Sequence, residues 1–528
     1  MSVEQLASPE WETTRTLELI RPDGEPKPVL VAVPAPAAPP VSERHRLARN
    51  FGALFGAQLV TWTMTLLWTL VGPRLIGPGQ FGIINTALSV GGVLLIFAGL
   101  ASSVYLVREI VSRPEEKEKL MGTAILLKLM LAPLMVIGAV TFVIFAHYGH
   151  EQTVAVYMAA AGSIALLVVD VQTGAFQSLE RMHYIAYGNI IQKTGQSLIG
   201  IALAVAGLGA TAIVANTTVL AFVVVLLQFT WLRRYMRVDL RTNARRIKSM
   251  AKQSTPYWAT GVFFTFYLWI DTILLSLLTN STVVGWYAAS ATLATTMMFL
   301  PQALATTWLP RLVAAFNNSE SELFRMARTP VTLVLLTGVP IAAATAMAAH
   351  EIIYVLYGSA YDKAIPVMVI LAFFIPPTYV NIMTNQVLIA SGRQMIATWT
   401  MVGAAIVNPL LNLVLIPMTE HRYHNGAIGA AIALMLTEVL IAVVGLVVVG
   451  RRIYDRNVIK RCVLVSVASA AMWAVAWVTR PLGAPAAITA GLVTLVLLIA
   501  AFRILTDDEI AFIRRLLARL TARARRTA

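Results

Sequence analysis

The chain has 528 residues, of which 58% are hydrophobic and only 13% charged, and its mean hydropathy is +0.73. Soluble domains carry about a quarter charged residues, so the composition excludes a soluble multidomain protein and points to a polytopic membrane protein. The formal net charge of +15 sits in loops, which excludes a nucleic-acid partner as its explanation, and the single cysteine, Cys462, allows neither an intramolecular disulfide nor a cysteine-based metal site.

Residues 1–45 are polar and Pro-rich and predict a disordered cytoplasmic tail. Fourteen apolar stretches follow, at approximately 50–71, 81–106, 121–146, 153–177, 186–206, 211–232, 256–278, 283–307, 330–348, 364–388, 394–416, 426–449, 461–479 and 484–504. Each is about the length a helix needs to cross the hydrocarbon core. The predicted units are an N-lobe over 46–232 (spans 1–6), a basic cytoplasmic linker over 233–255, a C-lobe over 256–450 (spans 7–12) and spans 13–14 over 451–504. Over 505–528, Thr506 and Glu509 form a capping box. Ile510, Ile513, Leu516, Leu517 and Leu520 then share one face, with Arg514, Arg515, Arg519 and Arg523 around the other. This predicts an amphipathic basic helix on the inner leaflet.

Of the 41 Lys+Arg, all but six fall on one side of the membrane under this span assignment. Arg74, Lys363, Arg422 and Arg480 lie on the other side, and Lys128 and Lys193 lie inside spans. The asymmetry predicts both termini in the cytoplasm, with the cationic loops facing anionic membrane lipids. An internal repeat is also legible. Phe81-Gly82-Ile83-Ile84-Asn85 opens span 2 as Val284-Gly285-Trp286-Tyr287-Ala288 opens span 8. Span 4 leaves through Leu179-Glu180-Arg181 as span 10 leaves through Ser391-Gly392-Arg393. Six spans separate equivalents, so the two halves enter from the same side as parallel repeats. The predicted fold is all-α, with about 14 transmembrane helices in two parallel-repeat lobes around a central cavity.

Pro73-Arg74-Leu75-Ile76-Gly77-Pro78-Gly79-Gln80-Phe81-Gly82 resembles the first turn of bacterial polysaccharide flippases of the multidrug/oligosaccharidyl-lipid/polysaccharide exporter superfamily. Val107-Arg108-Glu109, Leu300-Pro301-Gln302, Leu356-Tyr357-Gly358, Asn408 with Leu411-Asn412, and Gly426-Ala427-Ile428-Gly429 are similar to later family motifs in the same order. The resemblance covers roughly 45–450. It implies a bacterial inner-membrane protein that moves polyprenyl-diphosphate-linked oligosaccharide to the outer leaflet by alternating access, with a polysaccharide polymerase or glycosyltransferases as partners.

Polar residues inside spans mark a path, because hydrocarbon penalises them. On span 5, Asn189, Gln192, Lys193 and Gln196 recur at helical spacing. Gln58 and Trp62 on span 1, Tyr267 on span 7 and Asn385 on span 10 offer further amide and aromatic groups suited to sugars. Lys193 is the candidate cation for a diphosphate. Arg74 is a possible substrate contact by family resemblance and equally an interfacial anchor. Asp271 and Glu438 are the ion-coupling candidates, while Asp170 could pair with Lys128 or Lys193. Glu420, His421 and His424 are better read as a solvated loop than as a metal site. No catalytic, metal or cofactor motif is present, so the expectation is a transporter and not an enzyme. The alternatives are a cation-coupled multidrug exporter or a lipid II flippase of the same superfamily.

Overall fold

The computed structural model describes the backbone of residues 14–20, 26–32, 41–454 and 456–504, and side chains from residue 56 onward except at 260 and 451. The predicted amphipathic helix over 505–528 lies outside the described residues. Thr14–Ile20 (β1) and Pro26–Ala32 (β2) pair as an antiparallel hairpin, within the stretch the sequence predicts to be disordered. The overlooked signal is a pair of short apolar runs, Leu17, Leu19 and Ile20 in one and Val29, Leu30 and Val31 in the other, flanking a Pro22-Asp23-Gly24 turn signature.

Among the described residues, twelve stretches are long and apolar enough to cross a bilayer. One of them, Gly56–Ser112, has 57 residues. At about 1.5 Å per residue it is more than twice the hydrocarbon thickness. Its helix, Val41–Leu94, breaks at Gly77, so it makes two passes. Met182–Val205 is also long enough to cross but carries the polar stripe of span 5. These give the predicted fourteen passes.

The first turnaround is tighter than the sequence suggests. The helix continues to Ile76 and resumes at Pro78, with Gly77 alone outside helical geometry at φ 74°. Glycine tolerates that conformation, and proline suits the first position of a new helix. Span 2 is in turn less regular than predicted. It narrows to a tight helix over Leu95–Ala98, opens, and restarts as Ser103–Ser112. Trp258 Nε1 donates to the Ile96 carbonyl at 2.7 Å, and the Ser103 amide donates to both Asp170 carboxylate oxygens at 3.3 Å. Lys128 Nζ, 1% exposed, completes the group with a 3.0 Å ion pair to Asp170. Asp170 therefore serves Lys128 and a half-helix N-terminus, where a carboxylate complements the helix dipole, and Lys193 takes no part.

The repeat is borne out at atomic level. Span 8 also breaks, between Ser281–Thr296 and Phe299–Asn318, and Tyr379 donates to the Met297 carbonyl at 2.6 Å. The α-helix stops at Leu94 after Gly82 and at Thr296 after Gly285, a similar distance, though the interruption in span 2 is the longer one. Glu180 (φ 56°) and Gly392 (φ 69°) end spans 4 and 10 in the left-handed conformation. In each case the next amide reaches back over the turn, Arg181 to Phe176 and Arg393 to Leu388, both at 2.8 Å. That shared cap satisfies carbonyls a helix end leaves unpaired.

Separate apolar cores fill the halves. One gathers Ile84, Val90, Met135, Val156 and Val214, and another Leu323, Val334, Ile375, Tyr379 and Val449. Spans 13 and 14 join the outside of span 9 through Leu336, Val465, Met472 and Leu495. Removing the Asp170 carboxylate should strand the buried Lys128 ammonium. Asp170→Ala is expected to cost about 3 kcal/mol, the scale of breaking a buried ion pair. Thermal unfolding in detergent checks this. The Lys128→Met/Asp170→Ala double variant should recover part of the loss, and an unchanged midpoint in the single variant would contradict the assignment.

Candidate functional site

Among the described residues, two cavities between the spans stand out. The first, about 500 Å³, lies among spans 1, 2, 4, 5, 6 and 7, and is lined by Thr65, Trp68, Gln192, Lys193, Gln196 and Ser197. Lys193 is the only ionisable side chain on its wall. Among the described residues Lys193 has no hydrogen bond and no ion pair. Small residues open this space. Gly200 faces the Trp68 ring, and Gly91 lies where a side chain would strike Ser163.

The second cavity, about 540 Å³, lies among spans 2, 7, 8, 10, 11 and 12. Its wall holds two acids, Asp271 and Glu438, and no lysine or arginine. Glu438 accepts from Tyr267 Oη at 2.7 Å, Asn381 Nδ2 at 2.7 Å and Thr378 Oγ1 at 3.0 Å. Asp271 accepts from Asn412 Nδ2 at 2.7 Å and Tyr287 Oη at 3.1 Å. Asn412 also donates to Asn408 Oδ1 at 3.0 Å. All the donors are neutral, and the network ties span 7 to spans 8, 10, 11 and 12. Leu268 and Trp269 line both cavities, so a two-residue partition on span 7 separates a cationic chamber from an anionic one.

The seam between the two repeats is closed at the end poor in Lys and Arg. Pro78 and Gly82 on span 2 lie against Gly285 and Ser281 on span 8 so closely that a Cβ on either glycine would overlap backbone of the other span. Tyr361 Oη donates to the Pro73 carbonyl at 2.9 Å, and Arg74 Nη1 donates to the Val355 carbonyl at 3.0 Å. Phe81, Ala289, Leu293, Tyr357 and Met368 fill the seam. In the other direction, the second cavity runs past Gln302 to Leu388, Ile396 and Val448, which lie near the basic loops.

The structure brings together Lys193, Gln192 and Gln196 in one chamber, and Tyr267, Asn385, Asp271 and Glu438 in the other. It does not bring Arg74 to either lining; Arg74 is exposed and its Nη1 donates to the Val355 carbonyl. Asn189 and Gln58 are exposed outside both linings. Trp62 stacks edge-on against Phe299 of span 8, with ring centres 4.9 Å apart. The Tyr267 hydroxyl is committed to Glu438, which leaves only its ring for a sugar. Glu420 accepts from the Gly426 amide at 2.6 Å, which makes it a cap of span 12. No three His, Cys, Asp or Glu residues cluster as metal ligands among the described residues. The buried polar residues most underweighted from sequence are Asn408 and Asn412. Two fully buried amides four residues apart in an apolar span are the kind of signal that polar residues in membranes carry.

Fourteen passes in two repeated lobes around two interior chambers define a polytopic membrane protein with the fold of the multidrug/oligosaccharidyl-lipid/polysaccharide exporter superfamily. The family described as "Polysaccharide biosynthesis protein" matches residues 47–316, and the chain belongs to it. It is 26% identical over 403 residues, 74% of this chain and 81% of the relative, to the "Probable low-salt glycan biosynthesis flippase Agl15" of Haloferax volcanii. Its fold is similar to that of the lipid II flippase MurJ in an inward closed conformation. That match has a TM-score of 0.68 at 12% identity and covers 86% of this chain and 98% of that one. An inward-facing multidrug transporter of the superfamily aligns with a TM-score of 0.55 at 17% identity, covering 77% and 95%.

Proposed function

We propose that the protein flips polyprenyl-diphosphate-linked oligosaccharide across a cytoplasmic membrane for polysaccharide biosynthesis. The observation that carries this reading is the unpaired Lys193 amine in a polar chamber inside the membrane. A lone cation in hydrocarbon is costly unless water and an anion reach it, and a diphosphate is such an anion. Gln192 and Gln196 supply amides beside it. The glycan extends past Trp269 toward Asn381 and Asn385. The basic end faces the cytoplasm in this account, by the charge bias of its loops. The structure is then the loading state, shut outward by the Gly82–Gly285 seam.

Rocking of the two repeats would carry the substrate across. About two negative charges moving outward gain nearly 5 kcal/mol at about 100 mV, negative inside. Membrane potential alone is therefore expected to drive export. Asp271 and Glu438 tune the C-lobe through their network and are not obligatory ion sites. The test is flipping of a fluorescent polyprenyl-diphosphate glycan in proteoliposomes under a K⁺ diffusion potential, with a cationic dye as a competing cargo. Potential-dependent glycan movement that survives Asp271→Asn supports the proposal, and its sign reports which end is inside. Movement of the dye alone, or a strict need for a proton or Na⁺ gradient, would overturn it.

A further inference from the structure

We infer that the basic end of the C-lobe holds a site for one anionic phospholipid, separate from both chambers. Arg393 opens span 11 and Arg452 closes span 12. Their guanidinium groups converge on a single carboxylate oxygen of Glu320 at the start of span 9, at 2.8 and 2.9 Å. Two cations share one anion, so a positive charge remains. The arginine side chains are 43% and 62% exposed, and each guanidinium has five N–H donors in a planar fork suited to phosphate. Arg452 is also held over the Phe324 ring at 5.3 Å, which fixes where its fork points.

Directly below these heads, a groove of about 510 Å³ runs along span 12 over Val443, Leu446 and Val447. Val447 is 80% exposed on a helix inside the bilayer, so this wall faces lipid. The groove spans about two helical turns, roughly 10 Å at 1.5 Å per residue. A phosphate bearing a hydrocarbon chain matches both parts, whereas a soluble phosphate would leave the apolar wall bare. The excess positive charge selects an anionic headgroup over a zwitterionic one, as basic pockets between membrane helices do. The committed occupant is a phosphatidylglycerol-type lipid.

Native mass spectrometry of the full chain, titrated with phosphatidylglycerol or phosphatidylcholine, tests the site. One phosphatidylglycerol should be retained under activation that strips phosphatidylcholine. R393Q/R452Q should weaken that binding about thirtyfold, while R233Q/R234Q, in the basic loop of the other lobe, should leave it unchanged. Glu320→Gln separates binding from scaffolding. Without the competing carboxylate, phosphatidylglycerol should bind several-fold tighter, whereas arginines that merely brace the helices would give no gain. Equal affinity in R393Q/R452Q, the same loss in R233Q/R234Q, or no gain in Glu320→Gln would each overturn the site. If R393Q/R452Q does not fold, the Glu320→Gln result decides.

Discussion

Lys193→Ala is expected to lower the glycan transport rate about thirtyfold, because a hydrogen bond to a charged group contributes about 2 kcal/mol. The loss should appear without loss of protein from the membrane, since Lys193 has no partner among the described residues to leave stranded. Lys193→Arg keeps the charge but replaces a compact ammonium with a planar fork, so partial activity should remain. Lys193→Met should behave like alanine, which separates charge from bulk. Rates in proteoliposomes, corrected for inserted protein, check the series. Normal transport by Lys193→Ala would remove the basis for placing the diphosphate in the cationic chamber.

Gly82→Ala or Gly285→Ala should be nearly as damaging, for a different reason. A methyl group at 82 would overlap the Ser281 carbonyl oxygen, and one at 285 would overlap the Pro78 carbonyl oxygen. Neither obstacle is a flexible side chain, so the two turnarounds must separate. Overpacking of this kind costs about 2 kcal/mol, enough to shift a two-state equilibrium about thirtyfold toward the state open at this end. Asn85→Cys, on the chamber wall just inside the seam, should then become reactive to a thiol reagent added at the Lys/Arg-poor end. In the parent chain it should stay protected. Protection that persists in the alanine variants would show that the seam is not the gate.

The parts of the fold carried by local pattern were legible in the sequence. Apolar runs gave the spans, and Gly82 with Gly285 marked the repeat. That these two glycines pack on each other could not be read, because it depends on the arrangement of two elements about 200 residues apart. The polar stripe on span 5 located Gln192, Lys193 and Gln196 because its helical spacing is internal to one helix. Arg74 stayed open between substrate contact and interfacial anchor for the opposite reason. A charge at a span end can reach inward or sideways, and the Val355 carbonyl, 281 residues away, decides between them. Trp269 carries no polar signal at all. Its role as partition follows only from the position of span 7 between the lobes. The break in span 2 had a hint in Gly99 and Ser102, but its stability comes from Trp258 and Asp170 on other helices.

The central claim is that the substrate's diphosphate lies beside Lys193. It is tested most directly by photocrosslinking, with benzoylphenylalanine at Gln196 in one chamber or Thr292 in the other. Inverted vesicles would present a radiolabelled polyprenyl diphosphate carrying one sugar. The account predicts a strong adduct at 196 that is lost in Lys193→Ala. An adduct at 292 with none at 196, or an adduct at 196 that is indifferent to Lys193, would contradict it.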